Sequence, residues 1–185
     1  MKYYYTIMIL LAMTMVSCQW ADGIICSCHE RGYDVYEKLD SLEIDLVKSS
    51  APIANYVNAV QSGNLIFLAG KGPKDADGQY IKGKLGSELT VEQGYEAAKA
   101  AGILQLSALH DAIGDLNKVN RIVKVTGMVN AVDSFEMHPE VINGFSDLMV
   151  AVFGESGKHA RAAVGMSSLP RGMACEIDMI VELRE

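Results

Sequence analysis

What the chain has little of narrows it first. Positive charge is short, with 16 lysines and arginines against 23 aspartates and glutamates over 185 residues and a formal net charge of −7. A nucleic-acid binder gathers cations along one face to neutralise phosphates. No such stripe occurs, so no nucleic-acid partner is expected. Membrane-length apolar segments are missing too. The N-terminal run from Ile7 to Val16 reaches about half of the ~20 residues that a bilayer-crossing helix needs. No Walker pattern of spaced glycines, lysine and hydroxyl appears. Gly70 and Gly72 therefore read as backbone pressed close to a neighbour, not as a phosphate loop. Cysteine is scarce. Cys26 and Cys28 precede His29, but three ligand-type side chains without a fourth nearby fall short of a zinc set. Incidental thiols are therefore expected there, not a metal site.

Half of the residues are hydrophobic, enough for one domain with a proper core. The N-terminus stands apart. Lys2, the short apolar run and Met15-Val16-Ser17-Cys18 suit a secretory signal and resemble the lipobox of bacterial lipoprotein signals. On that reading residues 1–17 are a signal peptide and Cys18 is the acylated residue. Residues 18–36 are then a linker and residues 37–185 the folded domain. Such a protein is exported, either periplasmic or held at a membrane only through lipidated Cys18. Met15 stands where leucine is usual, so an ordinary cleaved signal also fits.

Periodicity orders the rest. Tyr56 to Val60 and Leu65 to Ala69 read as a hairpin around Gln61-Ser62-Gly63-Asn64. Thr90 and Gln93 have capping-box spacing, and Val91, Tyr95, Ala98, Gly102, Leu106, Leu109 and Ile113 step along one side of a helix that Gly114 stops. Arg121 to Asn130 is the next strand. A second helix opens at Pro139 and closes at Gly154. Strands from Ala160 to Met166 and Ala174 to Leu183 finish the chain. Two helices with one-sided apolar stripes can cover only one face of a sheet. The other face is expected to hold Ile122, Met128 and Ile180, a surface that a symmetric oligomer would bury.

Arg161 and Glu176 are the candidate site. Cys175, Ile177, Met179, Val181 and Leu183 alternate as a core face, so Glu176 points away. In the preceding strand Ala162, Val164 and Met166 read as the core face, which places Arg161, Ala163 and Gly165 opposite. A terminal hairpin would make Arg161 and Glu176 same-face neighbours, with small residues leaving room beside them. A solvated cross-strand pair is the alternative reading, and Asp178 could equally be the arginine's partner. Cys175 belongs to the core as an inert thiol.

The terminal pattern Arg-x-x-Val-x-x-x-x-Leu-Pro-(x4)-Cys-Glu-Ile, from Arg161 to Ile177, resembles the RidA family, also called YjgF. Gly83 to Gly86, Thr90 to Tyr95, Gly114 to Leu116, Val141 to Gly144 and Phe153 to Arg161 are closer still to its YjgF/chorismate mutase-like (L-PSP endoribonuclease) subgroup. The resemblance implies a chorismate-mutase-like α+β fold, a mixed sheet with two helices on one face, and a homotrimer with ligand clefts between subunits. It implies a cofactor-free, metal-free hydrolytic deaminase of reactive 2-imino and enamine acids, giving 2-keto acids and ammonia. Arg161 would then grip the substrate carboxylate and Glu176 would orient the attacking water. Tyr56, Gly70 and Asn143 would complete the binding cleft. Ala69 and Ala163 depart from the serine and cysteine common there. That departure leaves open a non-catalytic module that binds small carboxylates, and the subgroup's endoribonuclease label is a more distant option.

Overall fold

The computed structural model describes residues 32–49 and 54–184. The signal, Cys18 and the Cys26-Cys28-His29 cluster lie outside the described residues. Helix α1 (Val35–Ser41) leads into strands β1 (Ala59–Ser62) and β2 (Leu65–Lys71), then α2 (Val91–Ile113) and β3 (Val119–Asn130). Helix α3 (His138–Phe153) and strands β4 (Ala160–Met166) and β5 (Cys175–Leu183) complete the order. The five strands form one sheet in the order β1-β2-β5-β3-β4. All neighbours are antiparallel except β3 and β4. Parallel strands need a long crossover, and α3 is that crossover.

Local chemistry explains the helices. Thr90 and Gln93 close a complete capping box on α2, and Gly114 ends it at φ 76°. Pro139 sits in the first turn of α3, and Gly154 takes φ 60° after its last residue. Both helices lie on one face of the sheet. Their crossing is close because the contact residues are small: Ala97, Ala98, Ala101 and Gly102 are buried on α2. A Cβ on Gly144 of α3 would run into the backbone carbonyl of Tyr95. The expected apolar face of β5 is the core face, with Cys175, Ile177, Met179 and Val181 at most 1% exposed.

Three expectations fail for identifiable reasons. The terminal strands are not a hairpin, because β3 runs between them: Arg161 pairs with Val125, and Glu176 pairs with Met128. The faces of β4 are also reversed. Val125 is buried and pairs with buried Met179, so Arg161 shares the helix-covered face while Val164, opposite Met128, lies on the open one. Finally, Ile122 is buried against the helices, not exposed. A register shift between Ile122 and Lys124 inserts a residue, and such a bulge changes which side chains share a face. Met128 and Ile180 do lie on the open face, opposite Glu176 and Phe67 respectively.

A second bulge matters for function. Between Leu68 and Lys71 strand β2 carries one residue more than β5 opposite it. The carbonyls of Ala69 and Ile177 both accept from Nε2 of Gln105, at 3.0 and 2.5 Å. Gln105 is fully buried on α2. It supplies the donor that the broken ladder leaves out. Gln105→Leu should fold but lose about 2 kcal/mol in urea denaturation, the usual cost of orphaned buried polar groups. Local hydrogen exchange at residues 69–71 should rise with it.

Candidate functional site

The charged residues of interest sit in two separate half-sites. The first is built on the edge strand β4 and the helix above it. Arg161 projects under α3, and its Nη1 donates to Asn143 Oδ1 and Ser146 Oγ, each at 2.9 Å. Nη2 approaches the Pro139 carbonyl at 3.4 Å. Ser146 Oγ lies 3.1 Å from Nε2 of His159, and Nδ1 of His159 lies 2.7 Å from the Gly157 carbonyl. A carbonyl only accepts, so Nδ1 carries the proton. In a neutral ring Nε2 is then the acceptor, and the Ser146 hydroxyl donates to it. That leaves a lone pair on Ser146 for the guanidinium. Each group has one role, and the chain from Gly157 to Arg161 orients the arginine. Burial holds His159 below its ordinary value of 6.5, with the nearby Arg161 charge acting in the same direction.

The second half-site is a cavity of about 620 Å³ at the bulged end of β2, lined by Tyr56, Gly70, Lys71, Tyr80, Arg171 and Glu176 among others. The Glu176 carboxylate rests directly on Gly70, where any side chain would displace it. Burial raises the pKa of Glu176, and the neighbouring charge of Asp178 raises it further. A carboxylate so placed is a stronger base than an exposed one. Tyr56 stands near the cavity mouth, 52% exposed. Cys175, the residue before Glu176, faces the core, and burial pushes its thiol up to about 12.

The alternation pattern by itself places Arg161 and Glu176 side by side. Within one chain they occupy opposite faces of the sheet with β3 between them. Arg161 and Asn143 do meet, and Tyr56, Gly70 and Glu176 do share one cavity. Ser146, His159 and Lys71 were missed. Only the spacing of Asn143 and Ser146, one helical turn apart on the strand-facing side of α3, could have hinted at the first. Nothing local marks the others. Among the described residues no group of three or more histidine, cysteine or acidic side chains could hold a metal ion.

A helix-covered mixed sheet with an arginine on its edge strand and a glutamate over a glycine bulge defines an α+β protein of the chorismate-mutase-like class. The family model described as "YjgF/chorismate mutase-like, putative endoribonuclease" matches residues 37–183. Protein TCP17 of Trypanosoma cruzi is 44% identical over 150 residues, covering 80% of this chain and 94% of its own. A RutC family protein of Pyrococcus abyssi is 34% identical over 134 residues, 72% of this chain and 90% of its own. The crystal structure of Atu1372 from Agrobacterium tumefaciens, a protein of unknown function, superposes with a TM-score of 0.73 at 38% identity, over 81% of this chain and 94% of that one. The chain belongs to the RidA/YjgF family.

The buried histidine makes a prediction about stability. Because its folded pKa is depressed, His159 contributes nothing at high pH, where folded and unfolded chains are both neutral there. Below 6.5 the unfolded chain takes up a proton that the folded one resists, so stability falls with pH. The urea midpoint should drop between about pH 7.5 and about pH 5.5, and drop less in His159→Gln. Equal drops in the two proteins would mean that His159 is not held neutral.

Proposed function

We propose that the protein is a RidA-type hydrolytic deaminase of 2-imino and enamine acids, working in a cleft that two copies complete. One observation carries the reading. Arg161 is preoriented on one face, and the raised-pKa Glu176 sits over Gly70 on the other, so a substrate touching both needs Arg161 of one subunit beside the cavity of the next. The open sheet face supports such an assembly, since Val60, Phe67 and Val164 leave 40–58% of their surface exposed alongside Val57. A homotrimer, the assembly the family resemblance implies, would bury that strip.

The chemistry follows from the groups. A guanidinium presents a planar fork that matches a carboxylate bidentately. Asn143 and Ser146 engage only Nη1 closely, which leaves other donors for the substrate. Its charge draws electrons from the adjacent imine carbon and favours attack by water. Glu176 accepts a proton as water adds and passes it to the imine nitrogen, giving a carbinolamine. It then relays the hydroxyl proton to the amine, so ammonia leaves as the carbonyl forms. Imine hydrolysis is already fast in water, so positioning and modest acid–base help suffice. A non-catalytic module binding small carboxylates is the second reading. Ala69 and Ala163 favour it, because both remove polar groups from the cleft wall. Export through the N-terminal signal, with acylation at Cys18, belongs to the same proposal.

Loss of the 2-aminoacrylate-derived imine in a coupled assay should be accelerated by the pure protein. The acid limb of its pH profile should fall at a pH above the ordinary 4.5 of a glutamate. Arg161→Ala and Glu176→Gln should each lose the activity. Refolding the two variants together should recover about a quarter of it, because one interface in four then pairs an intact arginine with an intact glutamate. No recovery in assemblies shown to be mixed would place both residues in one chain's site. Full activity in Arg161→Ala would sink the deaminase reading.

A further inference from the structure

The cavity that holds Glu176 carries charge that imine hydrolysis does not use. Lys71, Lys74 and Arg171 all line it. The ion pairs among the described residues are Arg121 with Glu182 and Lys158 with Glu155, and neither involves these three. The Lys71 ammonium donates to the neutral Oδ1 of Asn58 at 2.6 Å. Lys74 and Arg171 stand 5.4 and 5.9 Å from the centroid of the Tyr80 ring, so one aromatic ring gathers two cations. The acidic side chains of the cavity, Asp75 and Glu176, form no ion pair with them. Oδ1 of Asp75 accepts from the backbone N–H groups of Asp77 and Gln79, and Glu176 rests on Gly70. A protein of net charge −7 therefore gathers in one recess three cations without ion-pair partners among the described residues.

Holding them there is unfavourable without a counter-ion. Burial lowers the pKa of Lys71, and the charge of Lys74 lowers it further, which is the signature of ammonium groups kept together partly out of water. Arg171 adds a second cost. Its backbone is left-handed at φ 59°, a conformation that glycine adopts freely and arginine does not. Gly172 follows at φ 70°, so the turn would accept glycine at both positions. Strain retained at a charged residue over a cavity is a mark of a binding role. The volume of about 620 Å³ is also ample for a ligand larger than a three-carbon acid.

We propose that this cavity takes a second anionic group of the ligand, so that the substrate class is a 2-imino acid whose side chain ends in a carboxylate or phosphate, held by Lys71, Lys74 and Arg171. The proposal rests on the reading of Arg161 as the holder of the acid's first carboxylate. The two anionic ends of the substrate would then span the cleft, with Glu176 between them at the reacting carbon and the Tyr80 ring beside the chain.

Stable 2-keto acids serve as probes, since they share the product's shape. In calorimetry on the full chain, 2-oxoglutarate or 3-phosphonopyruvate should bind at least about tenfold more tightly than 2-oxobutanoate, the scale of one charge-assisted contact. Whichever of the two is tighter names the terminal group. The ratio to 2-oxobutanoate should collapse towards one in Lys71→Gln and in Arg171→Gly. Arg171→Gly relieves the left-handed strain, so its Tm should hold or rise while the ratio falls, which separates lost recognition from lost folding. In Arg161→Ala, 2-oxobutanoate binding should disappear while the dianions still bind weakly through the cation cluster. Equal affinity for all three acids, or a ratio that survives both variants, overturns the proposal and leaves the deaminase reading standing. Undiminished 2-oxobutanoate binding in Arg161→Ala overturns that reading, and this proposal with it.

Discussion

Strand β3 is the constraint on which the site depends. It is antiparallel to β5 and parallel to β4, so it separates the strand carrying Glu176 from the strand carrying Arg161. Its parallel partner requires the α3 crossover, and α3 in turn supplies Asn143 and Ser146 to the arginine. The same register that buries Val125 between Arg161 and Met179 sends Glu176 and Met128 to the other face. A chain built this way cannot bring its own arginine and glutamate together. On the proposed reading, self-association would serve the chemistry as well as cover the apolar strip.

Both charged groups are prepared by what surrounds them. Glu176 is half-buried beside Asp178 and is raised in pKa, in the direction that the proposed role of proton acceptor calls for. Arg161 is oriented by a string of hydrogen bonds ending at the Gly157 carbonyl, through a histidine that burial keeps neutral. A protonated His159 would set a second cation beside the guanidinium. The bulge in β2 is part of the same preparation. It brings Gly70 under the Glu176 carboxylate, and buried Gln105 satisfies the carbonyls that the irregular ladder exposes. Rigid positioning and adjusted basicity would suit the proposed imine hydrolysis, a reaction with a low intrinsic barrier.

How much was legible beforehand follows from the range of each signal. Helix α2 could be read almost residue by residue, because a capping box, a one-sided apolar stripe and a stop glycine are all local. The core face of β5 was equally plain, since alternation reports burial directly. Strand β4 misled because its two faces are both composed of small or mixed residues, so alternation carried little information about which one the helices cover. Ile122 misled because a one-residue bulge resets the alternation, and a bulge leaves no compositional trace in a valine-rich strand. The Ser146–His159 chain and the Lys71 recess join residues far apart in sequence, and no spacing rule reaches that distance.

The sequence by itself determined the family, the helices with their caps, the buried face of the last strand, and the residue types able to grip a carboxylate and move a proton. It did so because propensity, capping and periodicity act over a few residues and are written locally. Strand order, the parallel pairing of β3 with β4, the opposite facing of Arg161 and Glu176, and the gathering of Lys71, Lys74 and Arg171 around Tyr80 were decided only by the tertiary structure. Those features depend on which strands meet and in what register, and that is settled by the packing of the whole sheet against α2 and α3.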